Sequence, residues 1–366
     1  MAWRIGVDTG GTFTDVVAVD ESSGKRCVRK TSSTPDDPSR AFAQGIRELL
    51  ADVGVDAGEV SFISHGTTVA TNAILESRYA RLGLIVTQGY REMLEVGRQT
   101  VPGDFGDITW WLKPPRVVPL ELVREAKGRF DYQGRELAAL DEDAVRRIAT
   151  EFRAMGIDAI AVSFLHSYRN PAHERRAREL ILEVHPACFV SVSSDVIREY
   201  REYERTLSTC LNTGLMPLVT SYLNNLQGRM DQESIAARLY VMKSSGVIIH
   251  AAEMAPQPIA AVLSGPAAGI VTACYYGKAV GHPNLITIDI GGTSTDICLI
   301  DQGTPHMLTE GKIDIYNIKA PMIDMHTVGA GGGSIAWLSA GRSLRVGPQS
   351  AGAQPGPVCY GRGGTH

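Results

Sequence analysis

The decapeptide VDTGGTFTDV at residues 7–16 recurs near the other end of the chain as IDIGGTSTDI at residues 288–297. The two copies share six identical positions, which comprise two aspartates, two glycines and two threonines. In each copy an apolar run leads into Gly-Gly and out into a second apolar run, and this pattern predicts a β-hairpin with Gly-Gly-Thr at its tip. We call residues 7–16 the first hairpin and residues 288–297 the second hairpin.

The composition of both hairpins suits a polyphosphate. Glycine lets the backbone approach a ligand closely, while turn N–H groups and threonine hydroxyls donate to anionic oxygens. The leading aspartate of each hairpin, Asp8 or Asp289, suits a cation that neutralises those oxygens. A single turn of this composition is common in ordinary hairpins, so the prediction of a ligand site depends on the duplication. We predict two lobes that bind one nucleotide from opposite sides.

Length and composition bound the remaining possibilities. A chain of 366 residues exceeds one ordinary core and predicts two domains, which we place at residues 1–195 and 196–366. Hydrophobic content of 44%, charged content of 21% and a net charge of −4 indicate a globular protein that binds neither nucleic acid nor membrane. The six cysteines have no metal-type spacing and no secretion signal precedes them, so we expect a cytoplasmic protein with reduced thiols.

Hydrophobic periodicity predicts alternating strands and helices, and therefore mixed or parallel sheets with helices packed on them. The predicted strands include residues 60–64, 82–87, 159–165 and 239–242, and the predicted helices include residues 38–50, 69–76, 141–155, 171–185 and 202–226. Pro217 is expected to kink or break the last of these helices. Residues 100–119, rich in Gly, Pro and Trp, predict a long irregular segment near a cleft.

Three further segments are candidate ligand contacts, each with a structural alternative. His65, Thr67, Thr68 and Asn72 lie at a strand-to-helix junction, where a helix cap explains the threonines equally well. The helix start at residues 263–269 could meet an anion, or its small residues could serve close packing. Residues 329–333 contain four glycines before a predicted helical stretch, which suits close approach to a ligand or a flexible loop.

Together these motifs resemble the phosphate and adenosine elements of the actin, sugar-kinase and heat-shock-chaperone ATPase superfamily. More closely, the chain resembles hydantoinase A and the ATP-dependent oxoprolinases, a family that includes subunits of acetone and acetophenone carboxylases. The segments that carry the resemblance are residues 8–15, 65–73, 94–99, 202–206, 263–269, 289–296 and 356–361. Relatives usually continue well beyond the last segment, so we expect this chain to be truncated, and Val247 stands where many relatives have a glycine.

The resemblance implies a two-lobed, actin-like or ribonuclease H-like α/β fold that binds ATP and Mg²⁺. It implies that Asp8 and Asp289 hold Mg²⁺ and act in catalysis with His65, and that Thr67, Thr68 and Asn72 contact substrate. The residues expected to bind the nucleotide are Thr9, Gly10, Gly11, Thr12, Thr14, Gly291, Gly292, Thr293, Ser294, Thr295, Gly329, Gly331, Gly332 and Gly333. A hydantoinase B-type subunit is the expected partner.

The implied reaction is ATP-dependent opening of a cyclic amide or imide, such as 5-oxoproline or a hydantoin, by phosphorylation of the carbonyl oxygen. The alternatives are the ATP-binding subunit of a ketone carboxylase, for which Trp110 and Trp111 would suit an aromatic substrate, and an actin-like or chaperone-like ATP switch. A sugar kinase stays open on fold grounds.

Five side chains outside the tips complete the set of candidates. Asp15 and Asp296 are expected to orient the hairpins through backbone hydrogen bonds rather than to act in catalysis. Asp324 and His326 could ligate a metal or belong to an ordinary strand. Cys359 could be a nucleophile, although no neighbouring base is visible in the sequence.

Overall fold

Strands dominate both ends of the chain and helices dominate its middle. The computed structural model describes residues 3–34, 36–98, 116–292, 294–313, 315–339, 341–352 and 355–365. Its strands are β1 (Trp3–Thr9), β2 (Phe13–Asp20), β3 (Arg26–Ser32), β4 (Val60–Thr67), β5 (Gly83–Thr87), β6 (Val123–Ala126), β7 (Arg129–Phe130), β8 (Glu136–Ala138), β9 (Ala159–Ser163), β10 (Phe189–Val192), β11 (Arg238–Met242), β12 (Ile248–His250), β13 (Leu285–Ile290), β14 (Thr295–Asp301), β15 (Thr304–Pro305), β16 (Met307–Ile313), β17 (Tyr316–Ile323), β18 (His326–Val328), β19 (Ser334–Leu338) and β20 (Leu344–Ser350). Its helices are α1 (Pro38–Val53), α2 (Val69–Leu75), α3 (Met93–Val96), α4 (Glu142–Ala154), α5 (Ala172–Val184), α6 (Ser193–Val196), α7 (Glu202–Gln232), α8 (Ala251–Met254) and α9 (Ser264–Ala279).

Local sequence signals set the ends of the first helix. The Asp37 carboxylate accepts a hydrogen bond from the Ser39 amide, and Pro38 occupies the first turn, where its missing N–H costs nothing. Gly54 ends α1 in the left-handed conformation with φ of 69°, which glycine adopts without strain. The helix predicted from residue 38 is therefore confirmed, and it runs three residues beyond the predicted end.

The first hairpin forms the centre of a six-stranded mixed sheet with the order β12-β11-β4-β1-β2-β3. Strand β1 pairs antiparallel with β2 and parallel with β4, which places Asp8 beside both Asp15 and Gly66. Strands β11 and β12 extend this sheet although they follow residue 195, the boundary that we predict between the domains. The carboxyl end of β4 thus lies next to the tip of the first hairpin.

A second sheet, of order β10-β9-β5-β6, is wholly parallel, as the alternation of strands and helices predicts. Helix α7 contacts α1, β9, β10 and β17, so it lies between the sheets and is buried along most of its length. A helix surrounded in this way needs no polar stripe, which explains the small and apolar residues on all its sides. Pro217 does not break this helix, because α7 is continuous through residue 217, and the predicted kink stays a prediction.

The second hairpin belongs to a smaller sheet of order β13-β14-β15, and β18 also pairs with β14. Helix α9 packs on one face of this sheet around a small core of Ala267, Ile270, Cys298, Ile300 and Ile323. After the glycine-rich turn, residues 334–338 form strand β19, so the predicted helix there is wrong. The strand pairs with β20, a partner that a pattern limited to residues 329–336 does not include.

The face of the third sheet that points away from α9 is apolar and exposed. Ile286, Ile288 and Ile290 are 67%, 63% and 67% exposed, and Leu299, paired with Ile286, is 64% exposed. Beside the edge of β13, a cavity of about 380 Å³ opens between this strand and α9. Contiguous exposed apolar surface of this kind marks an interaction face.

No helix in the described part of the chain combines the length and the hydrophobicity that crossing a membrane requires.

Replacing Ile288 by Thr tests whether this apolar face is open in the isolated chain. Thr keeps the β-branched shape, so the free energy of unfolding should change by less than about 1 kcal/mol while binding of a hydrophobic dye falls. The matched control is Ile63→Thr, a fully buried position in β4, which should cost about 3 kcal/mol. Equal destabilisation by the two variants, measured by chemical denaturation, would contradict an open face.

Candidate functional site

The tips of the two hairpins face each other, although 281 positions separate their first glycines in the chain. A side-chain carbon placed on Gly292 would lie only 2.8 Å from the hydroxyl oxygen of Thr12, so glycine is required where the tips meet. Each turn closes in the same way, because Gly10 donates to the Phe13 carbonyl at 3.0 Å and Gly291 donates to the Ser294 carbonyl at 2.9 Å. The repeat in the sequence is thus a repeat in structure, and the two copies form one seam.

The Asp8 carboxylate lies against two further glycines. Side-chain carbons on Gly66 and Gly265 would lie 2.9 and 3.2 Å from Asp8 Oδ1, so a side chain at either position would displace the carboxylate. No described residue donates a hydrogen bond to this carboxylate or forms an ion pair with it. Burial, followed by the negative charges of Asp15 and Asp289, raises the pKa of Asp8 to about 6, while Lys30 acts in the opposite direction. Such a carboxylate is a strong attractant for a cation.

Several donors at the seam are free to meet an anion. No described residue accepts a hydrogen bond from the backbone amides of Gly11, Thr12 or Gly292, and the Thr12 hydroxyl also has no partner within the described residues. These groups surround the place where the tips meet. Their number and direction suit the oxygens of a phosphate chain.

Two of the threonines expected to bind the nucleotide, Thr14 and Thr295, use their hydroxyls elsewhere, and a third, Thr9, is buried. Thr9 and Thr14 are buried, and the Thr14 hydroxyl lies 3.0 Å from Ser33 Oγ. Thr295 donates to the Ala330 carbonyl at 2.6 Å. The strand alternation that carries these side chains away from the cleft corrects the expectation that every threonine of the repeat faces the ligand. Thr293 lies outside the described residues.

His65 lies in the core rather than at the surface of the cleft. Its side chain is fully buried, with Nδ1 3.2 Å from the Val7 carbonyl and Nε2 2.7 Å from the Tyr222 hydroxyl. A carbonyl can only accept, so Nδ1 carries the proton and Tyr222 donates to Nε2. Burial lowers the pKa of His65 to about 4, and the imidazole is therefore neutral. The position expected for a catalytic histidine instead supports β1 and α7.

The junction after β4 binds the start of α9. Ser264 Oγ donates to the Thr67 carbonyl at 3.0 Å and accepts from the Thr67 amide at 3.3 Å, while Thr71 Oγ1 accepts from the Leu263 amide at 2.9 Å. Leu263 has φ of 60°, a strained conformation for a residue with a side chain. These contacts hold the first turn of α9 against Asp8.

The capping alternative does not hold for the threonine side chains, because Thr68 is the N-cap residue of α2 and makes no side-chain cap hydrogen bond. The Thr67 hydroxyl, one residue earlier, accepts from the Val69 amide at 3.2 Å. Thr68 donates weakly to the Thr9 carbonyl at 3.4 Å, and the exposed Asn72 donates to Thr68 at the same distance. Thr68 and Asn72 therefore lie beside the first hairpin. Their contact with substrate stays a prediction.

The glycine-rich turn packs on the second hairpin. Gly332 and Gly333 donate their amides to the carbonyls of Gly291 and Gly292 at 2.9 and 2.7 Å, and the Gly331 amide donates to Ser334 Oγ. The carbonyl of Gly329 packs against Gly347. The close approach that these glycines permit is thus made to protein backbone, and the turn supports the tip of the second hairpin.

This pair of facing hairpins can be compared with known proteins. Residues 4–185 match the model of the hydantoinase/oxoprolinase N-terminal region, and residues 205–366 match the model of hydantoinase/oxoprolinase. The chain belongs to the hydantoinase/oxoprolinase family.

Three relatives illustrate the range of this family. The alpha subunit of the caprolactamase of Pseudomonas jessenii is 36% identical in sequence to this chain over 99% of its length. The crystal structure of that caprolactamase matches the fold of this chain with a TM-score of 0.84. The nucleotide-free structure of an ATP-dependent acetone carboxylase is 29% identical, covers 96% of this chain and has a TM-score of 0.83. The 5-oxoprolinase 1 of Arabidopsis thaliana is 34% identical over 99% of this chain.

This hydantoinase/oxoprolinase chain spans about half the length of the first two relatives, namely 53% of the caprolactamase sequence and 51% of the carboxylase structure. It spans 30% of the length of the oxoprolinase. The whole proteins therefore contain much that this chain does not match. The similarities establish a mixed α/β fold shared with lactam-hydrolysing and ketone-carboxylating enzymes.

The remaining polar candidates of this family member have partners of their own. Asp15 pairs with Lys30 at 2.6 Å, and Asp296 accepts from the Thr327 hydroxyl at 2.6 Å, so both aspartates use side-chain rather than backbone partners. Asp324 pairs with His306 at 3.3 Å instead of with His326, and Cys359 is exposed. Trp110 and Trp111 lie outside the described residues.

Sequence reasoning missed Gly66 and Gly265, which enclose Asp8, and Tyr222, which fixes His65. The glycines were within motifs, but only the pairing of β1 with β4 brings them to the carboxylate. Tyr222 lies 157 positions from His65, on a helix whose pattern shows no functional face. No local signal could have found this contact.

The neutral, buried His65 predicts a specific pH dependence of stability. Its pKa is about 6.5 in the unfolded chain and about 4 in the fold, so protons bind preferentially to the unfolded state as the pH falls from 6.5. The free energy of unfolding should therefore drop by about 3 kcal/mol between pH 6.5 and 4 because of this residue. Chemical denaturation at each pH should show a shallower drop for His65→Gln than for the control His282→Gln, which changes an exposed histidine. Parallel pH profiles would contradict this assignment.

Proposed function

We propose that this chain binds ATP at the seam between the hairpins, in a two-lobed actin-like arrangement that places one hairpin in each lobe. The observation that carries the proposal is the convergence of the two tips with Gly11, Thr12 and Gly292 amides unengaged. Free amides on facing turns match the repeated oxygens of a polyphosphate better than any single small anion. The similar caprolactamase and acetone carboxylase are both ATP-dependent enzymes, which supports the choice of nucleotide.

Mg²⁺ fits the same place. Asp8 and Asp289 provide hard oxygen ligands, and burial together with the negative charges of Asp15 and Asp289 raises the pKa of Asp8. Within the described residues no group of three or more potential ligands exists, so the ion would rely on these two carboxylates, on water and on phosphate oxygens. When bound, Mg²⁺ would neutralise charge on the phosphate chain.

The reaction that we propose is ATP-dependent opening of a cyclic amide. The amide oxygen attacks the γ-phosphorus, the bond from phosphorus to the β,γ-bridging oxygen breaks, and ADP departs. The phosphorylated oxygen ends the amide resonance, so one water adds to the carbon and the ring C–N bond breaks, with a proton going to the nitrogen. A second water then hydrolyses the resulting acyl phosphate to a carboxylate and phosphate. The chain contributes positioning through the turn amides and the Thr12 hydroxyl, which hold the phosphates for transfer. His65 keeps β1 in place instead of exchanging protons with substrate.

A ketone carboxylase subunit is the second candidate, because the acetone carboxylase structure superposes as well as the caprolactamase structure does. In that case the enolate oxygen of a ketone would take the γ-phosphoryl group. An ATP switch without a small-molecule substrate is the third candidate, and it predicts slow hydrolysis that no amide or ketone accelerates.

A partner subunit forms part of this proposal. The caprolactamase relative is described as a subunit alpha, and the exposed apolar face of β13 and β14 offers a surface for another polypeptide. We propose a hydantoinase B-type subunit as that partner and a cytoplasmic location, the latter because the cysteines are free.

Phosphate release with different substrates separates the three candidates. The chain, alone and with co-purified partners, should release phosphate from ATP at least about ten-fold faster with 5-oxoproline, a hydantoin or caprolactam than without substrate. Acceleration by acetone or acetophenone with bicarbonate would favour the carboxylase instead. A rate that no substrate changes would favour the switch.

Replacing Asp8 by Asn should separate ligand binding from stability. Loss of the charge should weaken binding of Mg²⁺ with a non-hydrolysable ATP analogue by roughly two orders of magnitude, measured by calorimetry. The melting temperature of the nucleotide-free protein should rise, because the fold disfavours the charged Asp8. Asp52→Asn, on the exposed side of α1, is the control and should change neither quantity. Unaltered nucleotide binding by Asp8→Asn would refute the proposed role.

A further inference from the structure

The segment Gly356–Gly364 folds back onto the tip of the first hairpin. Residues Val358–Tyr360 form one turn of 3₁₀ helix, which Gly361 ends in the left-handed conformation with φ of 66°. The backbone then returns so closely that a side chain on Gly364 would collide with the Gly356 carbonyl. The segment is therefore a closed loop, which we call the C-terminal loop, and its conformation depends on glycine at its crossing point.

Aromatic contacts fix this loop to the first hairpin. The rings of Tyr360 and Phe13 meet edge to face, with centroids 6.0 Å apart. The Arg362 guanidinium lies 5.8 Å from the Phe13 ring and 6.0 Å from the Tyr360 ring, and its Nη2 donates to Ser32 Oγ at 3.0 Å. Phe13 belongs to the turn whose amides are free, so the loop is attached directly to the proposed phosphate site.

The hydroxyl of Tyr360 points to the place where the two tips meet. A side-chain carbon on Gly292 would lie 3.4 Å from this hydroxyl, and the same carbon would lie 2.8 Å from Thr12 Oγ1. No described residue exchanges a hydrogen bond with the Tyr360 hydroxyl. A free phenol thus stands beside a free threonine hydroxyl and free turn amides, and all of them can donate to one anion.

Arg362 brings positive charge to the same point, 5.8 Å from the Phe13 ring. Lys30 also lies 5.0 Å from this ring, but its charge is paired with Asp15. The opposite side of the seam holds Asp8 and Asp289, whose charges disfavour a polyphosphate in the absence of cations. A cationic group on the loop would attract the phosphates and so offset their repulsion by these carboxylates. Mg²⁺ bound at the carboxylates would have the same effect.

We infer that the C-terminal loop is a third phosphate-binding element, in which Tyr360 donates a hydrogen bond to a phosphate oxygen of the nucleotide. Arg362 is a positioning residue that holds the tyrosine ring over Phe13 and adds positive charge. The inference rests on the proposed function, because it assigns additional contacts to the same nucleotide. It also assigns a role to residues 356–361, a segment for which the two hairpins alone suggest no function.

Two variants of the full chain test the loop, with fluorescent AMP-PNP and AMP as probes in the presence of Mg²⁺. Tyr360→Phe keeps the ring contacts and removes only the hydroxyl, and it should weaken AMP-PNP binding about ten-fold, the usual effect of losing a hydrogen bond to a charged group. Arg362→Gln should weaken it by a similar factor, and the loss should shrink as salt is added. Both variants should bind AMP with nearly the wild-type Kd if the loop contacts the outer phosphates.

The matched control is Arg4→Gln. Arg4 also lies over an aromatic ring, at 4.3 Å from Phe62, and it pairs with Glu21 at the end of β1 remote from the tip. This variant should bind both probes as the wild-type chain does. Melting curves of all variants show whether each is folded, and Tyr360→Phe is expected to melt with the wild-type protein.

The outcomes separate the inference from the proposal beneath it. If the wild-type chain binds AMP-PNP and Tyr360→Phe binds it equally well, the loop is not a phosphate element although the hairpins are. Equal loss of AMP-PNP and AMP binding in both variants would also overturn the inference, since it would indicate a general disturbance of the site. If the wild-type chain binds no nucleotide, the proposed function fails and the inference falls with it.

Discussion

Two carboxylates of like charge, Asp8 and Asp289, are held in one cleft without a compensating cation, and the surrounding structure can be understood as what keeps them there. Gly66 and Gly265 leave room for the Asp8 carboxylate, while the hydrogen bonds between Thr67 and Ser264 hold the start of α9 against it. The strained Leu263 lies at the same place. Strain and like-charge repulsion cost stability, and they persist where a ligand uses them.

The two sides of this cleft are built differently. The first hairpin lies at the centre of a six-stranded sheet and shares a large core with the parallel sheet and α7. The second hairpin belongs to a small sheet with one covered face and a core of a few side chains. A site that must close on a nucleotide and then release products benefits from such a contrast, because the less buried side can move while the other keeps its geometry.

The sequence predicts the parts of this site that depend on neighbours in the chain. Both hairpins, α1, β4 and the helix that begins at residue 264 follow from local patterns of glycine, capping groups and apolar residues. What could not be predicted depends on tertiary pairing. Three features arise from partners that lie far away in the sequence. They are the contact of His65 with Tyr222, the burial of Thr9 and Thr14, and the hydrogen bonds from the Gly332 and Gly333 amides to the second hairpin. Continuity of α7 through Pro217 likewise reflects packing on all sides, which outweighs the helix-breaking tendency of proline.

The seam also accounts for a family whose members act on unlike substrates. In the two reactions proposed above, a lactam and the enolate of a ketone each present an oxygen that can accept a phosphoryl group. The groups that would hold the phosphates, namely Thr12 and the turn amides, contact the nucleotide and not the carbon skeleton. Relatives as different as a caprolactamase and an acetone carboxylase can therefore share this chain's fold at TM-scores of 0.84 and 0.83. Choice of substrate then has to come from surfaces beyond the seam, and the exposed apolar face of β13 and β14 is the surface that we propose for a partner.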